Sequence, residues 1–419
     1  MNIRIKNGNV SGIIAAPSSK SYTQRYVLYS AFSGKTIKIN NVSFSDDEII
    51  SLKIAESCNA VLHYDKRNIM VDPDFKCPHD IYVGESGTSY RLSLGLLSAK
   101  KCNTLIKGEP ELARRPVQAL VRALSDAGTL FKPTLDGFFT VYAENSSNKH
   151  VKIDGSTSSQ FITAMLYYYS IIGTGSFTAE NTVSENYVKI TENCLYDFGI
   201  KIYHEGNNYS VASGDYSQKS IDIEGDYSSA SYFIVLGIFT GNIEIKNLDV
   251  NSLQPDRIIV SLLEKATDSI SYQNGKLVIS KASYINEIIV DASISPDIAP
   301  VISVAGIFSK NGVKIYNYQR LKTKESDRWQ GIMDLSSAYG ASVSNNEEFI
   351  WIKRKEIKKP SELNFTDHRM IMSAIIAGII AGSSTKFENI EKINKSYPEF
   401  VNDLKRIGTE IYLDANILK

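Results

Sequence analysis

The sequence predicts an α/β protein of six repeats, grouped as two similar halves, with its most apolar helices enclosed by small sheets. Three observations predict it. First, a polar helix head followed by an apolar run recurs six times. The runs are SSKSYTQRYVLYSAFSG from Ser18, SGTSYRLSLGLLSA from Ser86, STSSQFITAMLYYYSIIG from Ser156, DYSSASYFIVLGIFTG from Asp226, SPDIAPVISVAGIFSKNG from Ser295 and TDHRMIMSAIIAGIIAG from Thr366. Successive starts lie 68 to 71 residues apart, and a fixed period of this kind marks an internal repeat. Second, the same order of elements follows each run. Third, 419 residues exceed what one hydrophobic core organises, so two domains are expected.

Each repeat opens on its buried helix. A helix apolar on every side must be buried, and Ser, Thr and Asp at its head suit the N-cap. A short strand follows, as at 37–42, 175–179 and 313–317. An amphipathic helix comes next, at 46–57, 115–127, 192–198, 257–266, 327–339 and 398–407. Four of these stop at a glycine (Gly128, Gly199, Gly340, Gly408), the residue that most easily takes the left-handed conformation beyond a helix end. A hairpin then closes the repeat, as around Gly206–Asn207 and Asn274–Gly275. The seam between halves falls near Gly225. If each half stacks its buried helices in parallel, their N-termini emerge on one face, and two such faces opposed make an anion-binding cleft.

Composition narrows the function. Formal net charge is zero, which argues against nucleic-acid and membrane-surface binding, so any cationic site is a local concentration. The cysteines Cys58, Cys77, Cys102 and Cys194 form no CxxC pair, and are expected to be free thiols in a reducing compartment. The start MNIRIKNGNV lacks the apolar core of a signal peptide, and the longest apolar run, 370–382, is too short to span a bilayer. A cytoplasmic location is expected.

The helix heads carry the chemistry. Lys20, Arg25, Arg91 and Arg369 lie within about two turns of a helix N-terminus, where a cation opposes the dipole unless an anion is present. Any one of them could bend to water or pair with a carboxylate. Four in register favour a polyanionic ligand. The segments GEPELARRP, with Arg114 and Arg115, and LKTKESDR, with Lys322, Lys324, Glu325, Asp327 and Arg328, add charge. Such a run is by itself usually a solvated helix face.

The motifs SKSYTQR, GESGTSYR, ARRP, GSTSSQF, EGDYSSASYF, SPDIAP, LKTKESDR, TDHRM and KSYPEF, in that order, resemble the signature set of the EPSP synthase (3-phosphoshikimate 1-carboxyvinyltransferase) family. The resemblance implies a two-domain inside-out α/β barrel fold of six βαβαββ-type repeats, three per domain. It implies domains at 19–224 and at 1–18 plus 225–419, the latter taking the N-terminal strand. It implies enolpyruvyl transfer from phosphoenolpyruvate to the 5-hydroxyl of shikimate 3-phosphate, in aromatic amino acid biosynthesis, with no metal or organic cofactor. A monomer that closes its domains over two small-molecule substrates is expected.

By motif position the resemblance assigns shikimate 3-phosphate to Lys20, Ser21, Arg25, Ser158, Ser159, Gln160, Ser184, Tyr187, Asp297, Arg320 and Lys324. It assigns phosphoenolpyruvate to Lys20, Gly87, Arg115, Gln160, Arg328, Arg369 and Lys395. Asp297 is the expected base and Glu325 the expected acid, with Lys20 as an alternative proton carrier. Plainer roles remain open: Asp297 as a helix cap, Glu325 as a partner of Lys322 or Arg328, Gln160 as a cap partner. The sequence departs from common family residues at Glu85 (often Asn), Leu92 (often Pro), Glu111 (Arg in some members) and Arg320 (Asn in some). Two other readings stay open. The sister transferase acting on UDP-N-acetylglucosamine uses a loop cysteine near the position of Arg114 and Arg115, where this chain has none. A non-catalytic anion-binding repeat protein would hold phosphate without chemistry.

Overall fold

The computed structural model describes residues 2–6, 10–143, 145 and 147–413, and among them are six four-stranded sheets, six buried helices and the outer helices that connect them. The third repeat shows the pattern. Strand Val151–Asp154 leads into helix Ser159–Ile172 and then into strand Thr174–Glu180, which runs parallel to the first. Helix Glu185–Asp197 returns the chain, and the hairpin Ile200–Glu205 and Asn208–Ser213 completes the sheet antiparallel to Thr174–Glu180. The six repeats expected from the sequence are therefore present.

Two strands trade places. Gly12–Ala15 precedes the first buried helix, Lys20–Ser33, yet pairs with Ile243–Lys246 of the fourth repeat. Lys219–Asp222 precedes the fourth buried helix, Tyr227–Thr240, yet pairs with Ile37–Asn40 of the first. Ile3–Lys6 joins the last sheet between Lys386–Phe387 and Glu410–Leu413. The chain accordingly divides into two compact units, Met1–Pro17 with Glu224–Lys419, and Ser18–Ile223.

Each unit has its own hydrophobic core, built from the central helices. The buried helices are Lys20–Ser33, Gly87–Ala99, Ser159–Ile172, Tyr227–Thr240, Ala299–Phe308 and His368–Ala381. In Ser159–Ile172 every side chain from Phe161 to Ser170 is buried. Burying large apolar side chains of this kind contributes about 1.5–3 kcal/mol each.

Local chemistry shifts some expected boundaries. The helix expected over 115–127 begins at Gln118, after a separate turn at Pro110–Ala113. Pro116 disfavours the helical conformation at the residue before it, which breaks the run there. The helix expected over 192–198 begins at Glu185. Its first turns carry Val188, Ile190 and Thr191, β-branched residues with weak helix propensity, and their burial on the core overrides that preference. The charged segment is only partly a solvated face: Lys322 and Asp327 are exposed, while Lys324 and Glu325 are half-buried. It forms a 3-10 turn at Tyr318–Thr323, and Arg328 opens helix Arg328–Ala338 only 2% exposed.

The cysteine expectation needs correcting. Cys77 and Cys102 form a disulfide with their Cα atoms 5.3 Å apart, and Cys58 and Cys194 are buried free thiols. The two bonded cysteines are 25 residues apart in sequence, so spacing gave no hint of their proximity. No helix among the described residues is long and apolar enough to cross a membrane.

Candidate functional site

The expected residues gather into two clusters, one in each unit. In the unit Ser18–Ile223 the cluster sits at the heads of the first three buried helices. Lys20 Nζ lies 2.6 Å from Asp47 Oδ2. Asp47 belongs to helix Asp46–Ser57, whose N-cap Ser45 forms a capping box with Glu48. Behind them, Gln24 is fully buried, and its Nε2 lies within hydrogen-bond distance of Asp47 O, Ser51 Oγ, Ser86 Oγ and Ser89 Oγ. One amide thus ties the first helix to the second and to the segment that holds Lys20.

Arg25 is 2% exposed and spans the first and third repeats. Its Nε donates to Thr191 Oγ1 at 2.9 Å, one Nη to Ser21 O at 2.8 Å and the other to Tyr187 O at 3.4 Å. Ser184, the left-handed N-cap of helix Glu185–Asp197, lies three residues before Tyr187. Gln160 is not a cap partner through its side chain. Its Oε1 accepts from Arg91 at 2.6 Å and its Nε2 donates to Thr88 at 2.9 Å, while its backbone N–H donates to Ser158 Oγ. Ser159 begins the same helix. Arg115 lies against Gly87: a Cβ built there would come 2.6 Å from its guanidinium. Lys20, Ser21, Arg25, Gly87, Arg115, Ser158, Ser159, Gln160, Ser184 and Tyr187 all belong to this unit.

The unit containing the last three repeats holds the second cluster. Arg328 is its centre. Its guanidinium donates to Asp297 Oδ1 at 2.7 Å, Glu325 Oε2 at 3.0 Å and Asp367 Oδ2 at 3.0 Å. Arg369 donates to the other oxygen of Asp297 at 2.8 Å. Both arginines are buried. Asp297 is no helix cap, because the N-cap of helix Ala299–Phe308 is Ile298. Burial favours the neutral acid at Asp297, but Arg369 and Arg328 override it and hold the carboxyl well below the usual range. Asp367 follows the same logic: burial raises it, Arg328 and His368 lower it, and the net shift is downward. Glu325 pairs with Arg328 and lies 3.2 Å from His368 Nδ1.

Arg320 donates to Ser293 O at 2.6 Å, and burial draws its proton affinity down. Lys324 lies close enough to Asp297 to lower the proton affinity of that carboxyl. Lys395 ends the 3-10 turn Ile390–Lys395 and is buried. Glu325, Asp367 and His368 offer ligand atoms within 4.8 Å of one another, a spacing that could hold a metal ion. Arg328 already donates to both carboxylates, so a guanidinium supplies the positive charge there.

The structure modifies the expectation that helix heads are open anion sites. The fourth head is closed by the protein itself: Tyr227 N–H donates to Gln254 and Ser229 N–H to Asp226. The sixth is closed by Asp367, which accepts from the N–H groups of Arg369 and Met370. Lys20, Arg91, Arg328 and Arg369 bring side-chain positive charge to the two clusters. Asp47, Gln24, Asp256, Asp367 and His368 join these clusters without a sequence-based role. For Asp47 the signal was the SDDE capping pattern, and for Asp367 and His368 the TDHRM head; Gln24 and Asp256 had none.

Comparison with known proteins identifies the family and the fold. Residues 5–404 match the family described as EPSP synthase (3-phosphoshikimate 1-carboxyvinyltransferase). A 3-phosphoshikimate 1-carboxyvinyltransferase from Picrophilus torridus is 44% identical over 409 residues, covering 97% of this chain and 99% of that one. The protein of the same name from Methanocaldococcus jannaschii is 32% identical, covering 97% and 98%. Among solved structures, EPSP synthase from Acinetobacter baumannii matches with a TM-score of 0.80 at 22% identity, over 98% of this chain and 100% of that one. The enolpyruvyl transferase NikO from Streptomyces tendae matches at 0.79 and 15%, over 98% of each. At those identities the two structures speak for the fold alone.

Proposed function

The chain belongs to the EPSP synthase family and is an enolpyruvyl transferase, and we propose that its two clusters carry the transfer of the enolpyruvyl group from phosphoenolpyruvate to the 5-hydroxyl of shikimate 3-phosphate. The hydroxyl oxygen bonds to C2 of phosphoenolpyruvate and loses its proton, while C3 gains one. The tetrahedral adduct then expels phosphate and loses a C3 proton, which restores the double bond in the product.

One observation carries the residue roles: Asp297 bridges the two buried guanidiniums of Arg328 and Arg369. The protein's own carboxylate occupies the donors that a substrate carboxylate or phosphate would use. Charge-assisted bonds of about 1.5–3 kcal/mol each then pass from Asp297 to phosphoenolpyruvate on binding. Losing the guanidiniums raises the proton affinity of Asp297, which turns a depressed carboxylate into a competent base for the 5-hydroxyl. Glu325, hydrogen-bonded to Arg328 and facing His368, is placed to carry the C3 proton, and Lys20 is the alternative carrier. Arg115 against Gly87, with Lys395, completes the phosphoenolpyruvate set. Lys20, Ser21, Arg25, Ser158, Ser159, Gln160, Ser184, Tyr187, Arg320 and Lys324 form the shikimate 3-phosphate set. A cytoplasmic location is part of the same proposal.

The test is phosphate release measured with each acceptor in turn. Release with shikimate 3-phosphate and none with UDP-N-acetylglucosamine supports the reading. Release with the nucleotide sugar alone assigns the sister activity, and phosphate binding without release assigns a non-catalytic protein.

A further inference from the structure

Asp256 is a carboxylate that neither the sequence motifs nor the proposed chemistry uses. It lies in the short turn Pro255–Arg257 and is 2% exposed. One of its oxygens accepts the hydroxyl of Ser228 and the other the hydroxyl of Ser295. Ser228 stands in the first turn of helix Tyr227–Thr240, and Ser295 stands two residues before Asp297. The same segment also closes that helix head, through Gln254 to Tyr227 N at 3.0 Å and to Gly225 O at 2.8 Å.

We propose that Asp256 is a positioning residue of the transfer site: by holding Ser228 and Ser295 together it pins the fourth buried helix to the approach of the fifth and fixes Asp297 against Arg369 and Arg328. The proposal rests on the functional reading above. Two buried hydroxyls would satisfy each other or a backbone carbonyl with less cost, so a buried carboxylate needs a further reason to be there. The charged groups that face it are Asp297, from the head of the fifth buried helix, and Arg369, from the sixth. The fourth helix meets it with Ser228. Burial, then the charge of Asp297, raises the Asp256 carboxyl to about 6. Once ionised, Asp256 adds negative charge beside Asp297 and Arg369, which makes Asp297 a stronger base.

A group whose folded pKa lies above its unfolded value stabilises the fold below the unfolded pKa, and that contribution is lost as pH rises through the folded pKa. Stability therefore falls between about pH 4 and about pH 6 as Asp256 ionises in the fold, and the cost is constant above that. Asp256→Asn should melt at the same temperature as the parent or higher at pH 8. It should nonetheless lose about 10- to 100-fold in kcat/KM, the scale of a misplaced reacting group.

The experiment compares the parent with Asp256→Asn, Ser295→Ala and Ser228→Ala by phosphate release and thermal melting between pH 5 and 8. The parent-to-Asp256→Asn ratio of kcat/KM should rise through about pH 6, a ratio in which substrate ionisation cancels. Ser295→Ala should lose more than Ser228→Ala, because Ser295 adjoins Asp297. A flat ratio near one, or equal small losses in both serine variants, overturns the proposal. If Asp256→Asn does not fold, the order of the two serine variants decides. A parent with no turnover instead removes the functional reading itself.

Discussion

Replacing Asp297 by Asn separates catalysis from binding more sharply than any other single change. In the folded protein Asp297 accepts charge-assisted bonds from Arg328 at 2.7 Å and Arg369 at 2.8 Å. Arg328 keeps Glu325 and Asp367 when the charge is removed. Arg369 loses its carboxylate partner, while the Asn carbonyl still accepts one neutral bond. A competitor worth about 1.5–3 kcal/mol is therefore weakened, and 1.4 kcal/mol is tenfold in affinity. Phosphoenolpyruvate should bind up to about tenfold more tightly to Asp297→Asn. At the same time kcat should fall by about 10²–10⁴, the usual worth of a general base. Equilibrium titration of phosphoenolpyruvate, followed through tryptophan fluorescence with Trp329 beside Arg328, gives the affinity. Phosphate release gives kcat. Weaker binding in parallel with lower kcat would refute the reasoning, since Asp297 would then be a binding group. Unchanged kcat would refute its role as base.

Other changes test neighbouring parts of the account. In Gly87→Ala the new methyl meets the flexible end of Arg115 at 2.6 Å, so the fold survives but the guanidinium moves; KM for phosphoenolpyruvate should rise several-fold with kcat within about threefold, and an unchanged KM counts against Arg115 as a ligand. Gln24→Leu leaves Asp47, Ser51, Ser86 and Ser89 without a shared donor and should cost about 1–3 kcal/mol in denaturant unfolding. Reducing Cys77–Cys102 releases a loop of about 25 residues and should cost about 3 kcal/mol, read as a lower melting temperature in dithiothreitol; identical melting in both states would show that the bond constrains nothing. Asp367 is held low by Arg328, so its contribution is present above the unfolded carboxylate pKa and is lost as pH falls through its folded value; Asp367→Asn should make the acid limb of a stability–pH curve shallower.

The repeat was legible because each buried helix is apolar on all sides, and such a run can be read without knowing its neighbours. The site residues were legible as types, since Lys20, Arg328 and Arg369 sit where a cation is locally unfavourable. Their partners were not. Asp47 is 27 residues from Lys20, and Asp297 is 72 residues from Arg369. Packing of the first repeat's two helices brings Asp47 to Lys20, and stacking of the fifth repeat on the sixth brings Asp297 to Arg369; local pattern carries no trace of either. The Cys77–Cys102 bond and the Asp256 bridge likewise join residues distant in sequence. The early start of helix Glu185–Asp197 is not visible in local propensity, because its first turns carry β-branched Val188, Ile190 and Thr191, which only burial holds helical.

Phosphorus NMR of the protein mixed with phosphoenolpyruvate and shikimate 3-phosphate bears most directly on the central claim. The account predicts that inorganic phosphate grows in only when both compounds are present, as both starting signals decline together. Folded protein that leaves both signals unchanged over hours would contradict it.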